Sequence, residues 1–202
     1  MTKIYLVRLS QSLSFREALL RSLTGSRKEK ALRFLREEDQ VRSALGSLLI
    51  RHYAGAGEVL VGPKGKPYLE QGSFFNLSHA GDFVGIAIAD EEVGFDVEDI
   101  SRCDLKIVRA AFTEEEASSI HDKLSFAYAW TRKEAVAKCL GDGIWRPRES
   151  GLHDLGDGRY EYEGKRYFTK SQELDGHVLT VATQKEAPEL LPEIVSASEL
   201  LN

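Results

Sequence analysis

Three short apolar runs between residues 74 and 97 constrain the fold of this 202-residue chain more than any other feature. They cover residues 74–77, 83–89 and 93–97, and the turn-forming triplets AGD (80–82) and DEE (90–92) separate them. Runs of this length are typical of strands rather than helices. Because the gaps are too short for a crossover helix, the pattern predicts antiparallel strands.

The rest of the chain predicts an α+β fold with two similar halves that meet near residue 93. Ser14 and a Thr113 capping box are expected to begin helices, and Gly141 to end the longest one. Glu163 and Gly164 are expected to form a turn, and the tail from Ala187 to be irregular. Helices are predicted over residues 14–23, 27–36, 39–54 and 124–140, and strands over residues 3–9, 160–162, 165–168 and 178–182.

The charge balance limits the partners of this chain. Its net charge of −5 counts against broad binding to nucleic acid or to an anionic lipid surface. No apolar run approaches the roughly 18 residues that a membrane span needs. The first ten residues predict a strand rather than a signal peptide, and Cys103 and Cys139 are too few for a disulfide framework. We therefore expect reduced thiols and a cytoplasmic protein.

Two acids stand two residues apart in GFDVE, residues 94–98. In a strand, Asp96 and Glu98 would share one face, with Phe95 and Val97 on the other. Neighbouring carboxylates repel each other unless a cation or water screens them, and hard oxygen ligands suit Mg²⁺. Two solvated acids at an exposed strand end would show the same spacing, so spacing alone leaves both interpretations open.

A second set of polar residues lies in WTRKEAVAK, residues 130–138. Trp130, Glu134 and Lys138 fall on one stripe of a helix. Glu134 and Lys138 could form an ordinary surface ion pair. Alternatively, a carboxylate flanked by Lys133 and Lys138 suits a metal ligand or a base beside bound phosphate.

Two further motifs and a basic run could bind phosphate. In FNLSHAG, residues 75–81, a strand end could offer a hydroxyl and an imidazole, although a packed turn histidine explains the motif equally well. In GKP, residues 65–67, the proline favours an extended Lys66, but the spacing does not match a P-loop. The basic run, which could be a solvated helix face or an anion site, contains Arg27, Lys28, Lys30, Arg33, Arg36 and Arg42.

Taken in order, these motifs resemble those of the 4′-phosphopantetheinyl transferases of the larger, surfactin-activating class. The resemblance covers roughly residues 25–145 and includes GKP, FNLSHAG, GFDVE and WTRKEAVAK. It implies two similar α/β lobes in a pseudo-two-fold arrangement, with residues 1–93 and 94–202 forming the lobes and the active site in the cleft between them. Arg27 stands where the family often has a lysine, and Phe95 where an aliphatic residue is more frequent. We expect Phe95 to affect packing only.

The resemblance implies transfer of the phosphopantetheine arm of coenzyme A to a serine of an apo acyl or peptidyl carrier protein, with release of adenosine 3′,5′-bisphosphate. Asp96, Glu98 and Glu134 would bind Mg²⁺, while Glu134 and Lys138 would be catalytic, Glu134 as the base, acting directly or through a metal-bound water. The residues implied to bind the co-substrate coenzyme A are Arg27, Lys30, Arg42, Lys66, Pro67, Ser78, His79, Asp96, Lys133 and Lys138. A two-lobed chain needs no second subunit to complete its site, which predicts a monomer.

Two other functions fit part of the pattern. A Mg²⁺-dependent phosphohydrolase or nuclease could use the same acids, but the usual nuclease pattern has a lysine where this chain has Ile100. A non-catalytic module that binds coenzyme A or a carrier protein would not need the complete set of Asp96, Glu98, Glu134 and Lys138.

Overall fold

The computed structural model describes residues 1–141, 151–185 and 190–202. Eleven strands lie in these ranges, and the predicted α+β class is confirmed. The strands are β1 (Lys3–Arg8), β2 (Val59–Val61), β3 (Pro67–Leu69), β4 (Phe74–Ala80), β5 (Phe83–Ala89), β6 (Val93–Asp99), β7 (His153–Gly156), β8 (Arg159–Tyr162), β9 (Lys165–Leu174), β10 (His177–Thr183) and β11 (Pro192–Ile194).

Seven α-helices lie in the same ranges, and three of them are only four residues long. A π-helix, Ile50–Ala54, continues directly from the end of the second-longest helix. The helices are α1 (Leu9–Ser12), α2 (Arg16–Arg21), α3 (Gly25–Leu32), α4 (Glu37–Leu49), α5 (Val108–Ala111), α6 (Glu114–Ala117) and α7 (Lys123–Leu140).

Two larger sheets organise these elements. One has the strand order β11-β1-β5-β4 and the other β6-β10-β9-β8-β7, while β2 and β3 form a separate pair. Apolar side chains of β1 and β5 pack against those of β6 and β10, which forms a core between the sheets. Helices α2 to α4 cover the outer face of the first sheet, and α7 packs on the second. Phe95 is fully buried in the core between the sheets, as its predicted packing role requires.

The three predicted strands form, but they do not all lie in one sheet. Strands β4 and β5 pair antiparallel, as expected, with Ser78 opposite Gly85. Strand β6 does not continue this sheet, because it pairs with β10 at the edge of the second one. Periodicity could not show this, because β6 is apolar enough for burial in either sheet.

The predicted helix signals also have mixed outcomes. Thr113 forms the expected capping box with Glu116, and Gly141 ends α7 in the left-handed conformation with a φ of 76°. Glu163 and Gly164 form the expected turn between β8 and β9, both with positive φ. The prediction of Ser14 as an N-cap is wrong, because Ser14 lies inside a 3₁₀ turn and α2 begins at Arg16.

The tail is more regular than expected. Residues 186–189, within the segment predicted to be irregular, lie outside the described residues. Beyond them, β11 pairs in parallel with β1, and Val195, Ala197 and Leu200 enter the core beneath the helices. The last segment of the chain therefore packs on the first sheet, and the division at residue 93 stays a prediction. No helix in the described ranges is long and apolar enough to cross a membrane.

Candidate active site

The site begins where α7 lies directly on β6. A Cβ added at Gly94 would lie 1.8 Å from the carbonyl oxygen of Ala135, so no larger residue allows this approach. Residues 94, 96 and 98 share the face of β6 that α7 covers. Glycine at the first of these positions therefore brings the stripe of Trp130, Glu134 and Lys138 next to the two acids of the strand.

Asp96 is the most buried of the three predicted metal ligands, at 4% exposure. Its Oδ1 accepts hydrogen bonds from Lys138 Nζ at 2.5 Å and from Ser78 Oγ at 2.8 Å. Lys138 Nζ also donates to Ser78 Oγ, at 3.1 Å. The other oxygen, Oδ2, is buried and has no hydrogen-bond partner among the described residues. One carboxylate oxygen is therefore already paired, and the second can accept another cation or donor.

Glu98 and Glu134 lie close enough to Asp96 to feel its charge. Burial, followed by repulsion from Asp96, raises the pKa of both glutamates, that of Glu98 to about 7. Glu134 adds to the repulsion at Glu98, while Lys138 and a hydrogen bond with Trp130 oppose it. Three half-buried or buried carboxylates thus share one region of negative potential, which favours a bound cation.

The fit of this acid cluster to a metal ion rests on its donors. Asp96 Oδ2, which has no hydrogen-bond partner, and two glutamates with raised pKa values supply hard oxygen atoms of the kind that Mg²⁺ prefers. In the described parts of the chain, no group of three or more His, Cys, Asp or Glu is already arranged to hold a metal. The donor types therefore fit Mg²⁺.

A cavity of about 760 Å³ lies beside this cluster, bounded by the loop before α3, by α4 and by β4. Ser78 connects the cavity with the acid cluster, since it lines the cavity and its hydroxyl donates a hydrogen bond to Asp96. Burial, then the charges of Arg42 and Lys138, lowers the pKa of His79, so that its imidazole is neutral near pH 7. The predicted coenzyme A residues that line the cavity are Arg27, Lys30, Arg42, Pro67, Ser78 and His79.

Lys66 lies outside the lining of that cavity. Its Nζ bonds to Glu92 at 2.5 Å and to the carbonyl oxygens of Val93 and Cys139 at 3.1 and 3.3 Å. It therefore ties the loop before β3 to the start of β6 and the end of α7. Its contact with coenzyme A stays a prediction.

Lys133 is likewise placed away from the cavity. It is 2% exposed, its Nζ lies 2.6 Å from Glu116, and it sits 5.1 Å from the ring centre of Phe112. These contacts join α6 to α7. The contact with phosphate that the resemblance implies stays a prediction, and the described contacts assign Lys133 a packing role.

Two polar residues of the site had no assigned role at the sequence level. Arg51 lines the cavity and donates to the carbonyl of Ser22, at 2.9 Å, in the loop that precedes Arg27. Asn76 accepts a hydrogen bond from the Phe95 backbone N–H at 3.0 Å. The spacing of Asn76 and Ser78 on one face of a strand could have indicated a shared polar contact, whereas no local pattern distinguished Arg51 from other helix-face cations.

Comparison with known proteins supports the resemblance to a family. The sequence model of the 4′-phosphopantetheinyl transferase superfamily matches residues 92–182, which contain the acid cluster. This part of the chain is similar to that superfamily of transferases. The resemblance inferred from the motifs is thereby confirmed, and the match includes β6, α7 and β10, the elements that position Asp96, Glu98, Glu134 and Lys138.

Three curated relatives extend the match beyond the acid cluster. The 4′-phosphopantetheinyl transferase gsp of Aneurinibacillus migulanus is 35% identical over 65% of this chain and 62% of its own length. The 4′-phosphopantetheinyl transferase Sfp of Bacillus subtilis strain 168 is 28% identical over 98% of this chain and 100% of its own. The AcpT enzyme of Salmonella typhimurium strain LT2 is 37% identical over 49% of this chain and 57% of its own. The similarity to Sfp therefore includes the cavity residues as well.

Proposed function

We propose that this protein transfers the phosphopantetheine arm of coenzyme A to a serine hydroxyl of an apo acyl or peptidyl carrier protein. The observation that carries the proposal is the junction at Ser78, where a cavity with several cations adjoins three acids. A binding module needs only the cavity. A transferase that acts on a diphosphate needs both regions side by side.

The cavity has the charge that coenzyme A requires. Its 3′-phosphate and diphosphate carry several negative charges, and guanidinium groups recognise phosphate by charge-assisted hydrogen bonds. The lining holds four cations, Arg27, Lys30, Arg42 and Arg51, against two acids, Asp39 and Glu58, although the whole chain has a net charge of −5. This local excess of positive charge supports an anionic ligand.

The acid cluster would hold the metal. Asp96, Glu98 and Glu134 are its ligands in the proposal, and Mg²⁺ would neutralise charge on the diphosphate. Lys138, already bonded to Asp96, is next to the same region and would stabilise charge on the departing adenosine 3′,5′-bisphosphate. The raised pKa values of Glu98 and Glu134 support a cation at this place.

The proton of the carrier serine needs an acceptor when its oxygen attacks the β-phosphorus of coenzyme A. A bond forms from the serine oxygen to phosphorus, and the bond to the leaving bisphosphate breaks with its electron pair. Glu134 is the proposed base, because burial, followed by repulsion from Asp96, raises the pKa of its carboxylate and so makes it a better proton acceptor, while the charge of Lys138 opposes the rise.

The finer architectural and cellular features belong to the same proposal. Two pseudo-symmetric lobes, residues 1–93 and 94–202, would meet at the cleft between β4 and β6. The free, buried thiols of Cys103 and Cys139 support a cytoplasmic location. The monomeric state and the absence of nucleic-acid or membrane partners are supported by the site lying within one chain and by its acidic balance.

Mass spectrometry of an apo carrier domain tests this function. The carrier is incubated with the protein, coenzyme A and Mg²⁺, and the expected product carries one phosphopantetheinyl group. An unmodified carrier with intact coenzyme A would favour a non-catalytic binding module. Hydrolysis of coenzyme A or of a nucleotide, without modification of the carrier, would favour a Mg²⁺-dependent phosphohydrolase.

A further inference from the structure

The contact between the two sheets is made through side chains rather than a backbone ladder. Among the described residues, β4 and β6 each form the edge of their sheet, and they pack against each other. An exposed strand edge has unpaired N–H groups that must find other acceptors when they are buried. In β6, two of these N–H groups belong to Phe95 and Val97.

Side chains of β4 accept both hydrogen bonds. Asn76 Oδ1 accepts from Phe95 N at 3.0 Å, and Ser78 Oγ accepts from Val97 N at 3.3 Å. Both pairs are separated by 19 residues, so the two strands run in the same direction with a fixed register. Asn76 is 5% exposed and Ser78 is 7% exposed, so water does not readily replace either acceptor.

The two hydrogen bonds lie on either side of Asp96. Ser78 also contacts the Asp96 carboxylate directly, whereas the hydrogen bond of Asn76 to β6 is made with the Phe95 backbone. We propose that Asn76 is a positioning residue that fixes the backbone of β6 and thereby aims the Asp96 carboxylate at its cation. This inference rests on the proposed function, in which Asp96 is a metal ligand.

A pair of variants isolates the acceptor. Asn76→Ala and Asn76→Ser leave nearly the same space, but serine retains an oxygen, and Ser78 shows that a serine hydroxyl on this face reaches a β6 N–H. Mn²⁺ affinity is measured by calorimetry without coenzyme A or carrier protein. We expect Asn76→Ala to weaken the Mn²⁺ affinity about 10-fold, which is the lower end of the range for residues that orient metal ligands. Asn76→Ser should recover most of this loss.

Two further measurements separate positioning from general destabilisation. Amide hydrogen exchange at Phe95 should be faster in Asn76→Ala than in the wild type. In Asn76→Ser it should be slower than in Asn76→Ala. In transfer assays, kcat should fall in Asn76→Ala while the KM for coenzyme A stays near the wild-type value. Thr169→Val is the matched control, because it removes a buried hydroxyl that bonds to Gly158 in the second sheet, away from β6.

The outcomes distinguish this inference from the proposed function. Equal Mn²⁺ affinities for the alanine and serine variants, or an equal loss in Thr169→Val, would overturn the positioning role of Asn76. If the wild-type protein binds Mn²⁺ but does not modify a carrier, the proposed function fails, while the calorimetry and amide exchange still decide the role of Asn76.

Discussion

The cavity and the acid cluster adjoin each other but are built differently. The cavity cations come from α3, α4 and the loops around them, and Lys30 and Arg27 lie on a short helix. The acids come from β6 and α7, the two elements brought into contact by Gly94, and Asp96 is almost fully buried. The cavity is thus broad and open to solvent, and the acid cluster is compact and more deeply buried.

This difference assigns separate energetic roles to the two regions. Several spread cations can each contribute part of the affinity for a polyanion, so the loss of one weakens binding without changing the reaction. A carboxylate that must meet a metal or a proton acts only in one geometry. We therefore expect substitutions in the acid cluster to change kcat, and substitutions around the cavity to change the KM for coenzyme A.

The largest effect is expected for Glu134→Gln. The amide has almost the same shape but can neither accept the serine proton nor supply a full negative charge to a metal ion. General base catalysis contributes about 10²- to 10⁴-fold, so kcat should fall by at least about 100-fold. Carrier modification followed by mass spectrometry measures the rate, and circular dichroism checks the fold.

Glu173→Gln is the matched control for this substitution, because Glu173 is an exposed glutamate on β9. It should retain wild-type kcat. Full activity of Glu134→Gln would remove Glu134 from the mechanism. It would also contradict the expectation that substitutions in the acid cluster change kcat.

The second-largest effect is expected for Lys138→Met, on the free energy of unfolding of the metal-free protein. Lys138→Met removes the cation that pairs with the buried Asp96 carboxylate. Breaking a buried pair costs about 3–5 kcal/mol, and since the lysine side chain is 28% exposed, we expect a loss of about 2 kcal/mol in urea unfolding. Mn²⁺ should then stabilise this variant more than the wild type, because the ion restores positive charge beside Asp96.

Lys170→Met serves as the control, since Lys170 is an exposed residue of β9. If both variants lose equal stability, or if Mn²⁺ stabilises Lys138→Met no more than the wild type, the Lys138–Asp96 pair does not hold the metal-free site together.

The sequence allowed the acid cluster to be predicted better than the cavity, for a physical reason. Asp96 with Glu98 follows the two-residue period of a strand, and Glu134 with Lys138 follows the four-residue period of a helix, so local geometry already groups them. The cavity collects residues from the loop before α3 to β4, and its Arg51 is one of several helix cations. Only tertiary packing distinguishes the cations that face the cavity from those in solvent.

The same limit explains the placement of Lys66 and Lys133. Their motifs fit a phosphate site, but burial of Lys133 beside Glu116 and capture of Lys66 by Glu92 depend on segments distant in the chain. The position of β6 was unpredictable for a similar reason. Its residues are apolar enough for either sheet, and the choice depends on Asn76, Ser78 and α7, which satisfy its free edge and cover its polar face.

A pH dependence of stability would refine the description of the acid cluster. Because the pKa of Glu98 is raised to about 7 in the folded protein, from an ordinary value of 4.5, the folded state binds its proton more tightly than the unfolded state does. The contribution of Glu98 to stability is therefore present below about pH 4.5 and is lost as the pH rises through about 7. Allowing for partial solvent screening, we expect Glu98 to lower the free energy of unfolding by about 1.5 kcal/mol between pH 5 and pH 8 in the absence of metal.

Urea unfolding of the wild type and of Glu98→Gln at these two pH values isolates this contribution, since all other groups are common to both. The wild type should lose about 1.5 kcal/mol more than Glu98→Gln on going to pH 8. Equal losses would show that burial and the neighbouring carboxylates do not raise the pKa of Glu98. The acid cluster would then need no cation to offset its negative charge.

The smallest effect, expected for Lys66→Ala, tests the boundary between the two regions. If the Lys66 ammonium reaches a coenzyme A phosphate, the KM for coenzyme A should rise about tenfold, the equivalent of one charge-assisted hydrogen bond, while kcat changes little. Lys66 also bonds to Glu92 and to carbonyl oxygens at the start of β6 and the end of α7, so its removal could disturb the acid cluster instead. Glu92→Gln separates these effects, because it breaks the ion pair but keeps the ammonium. A higher KM in Lys66→Ala alone would place Lys66 with the cavity, whereas a lower kcat in both variants would place it with the acid cluster.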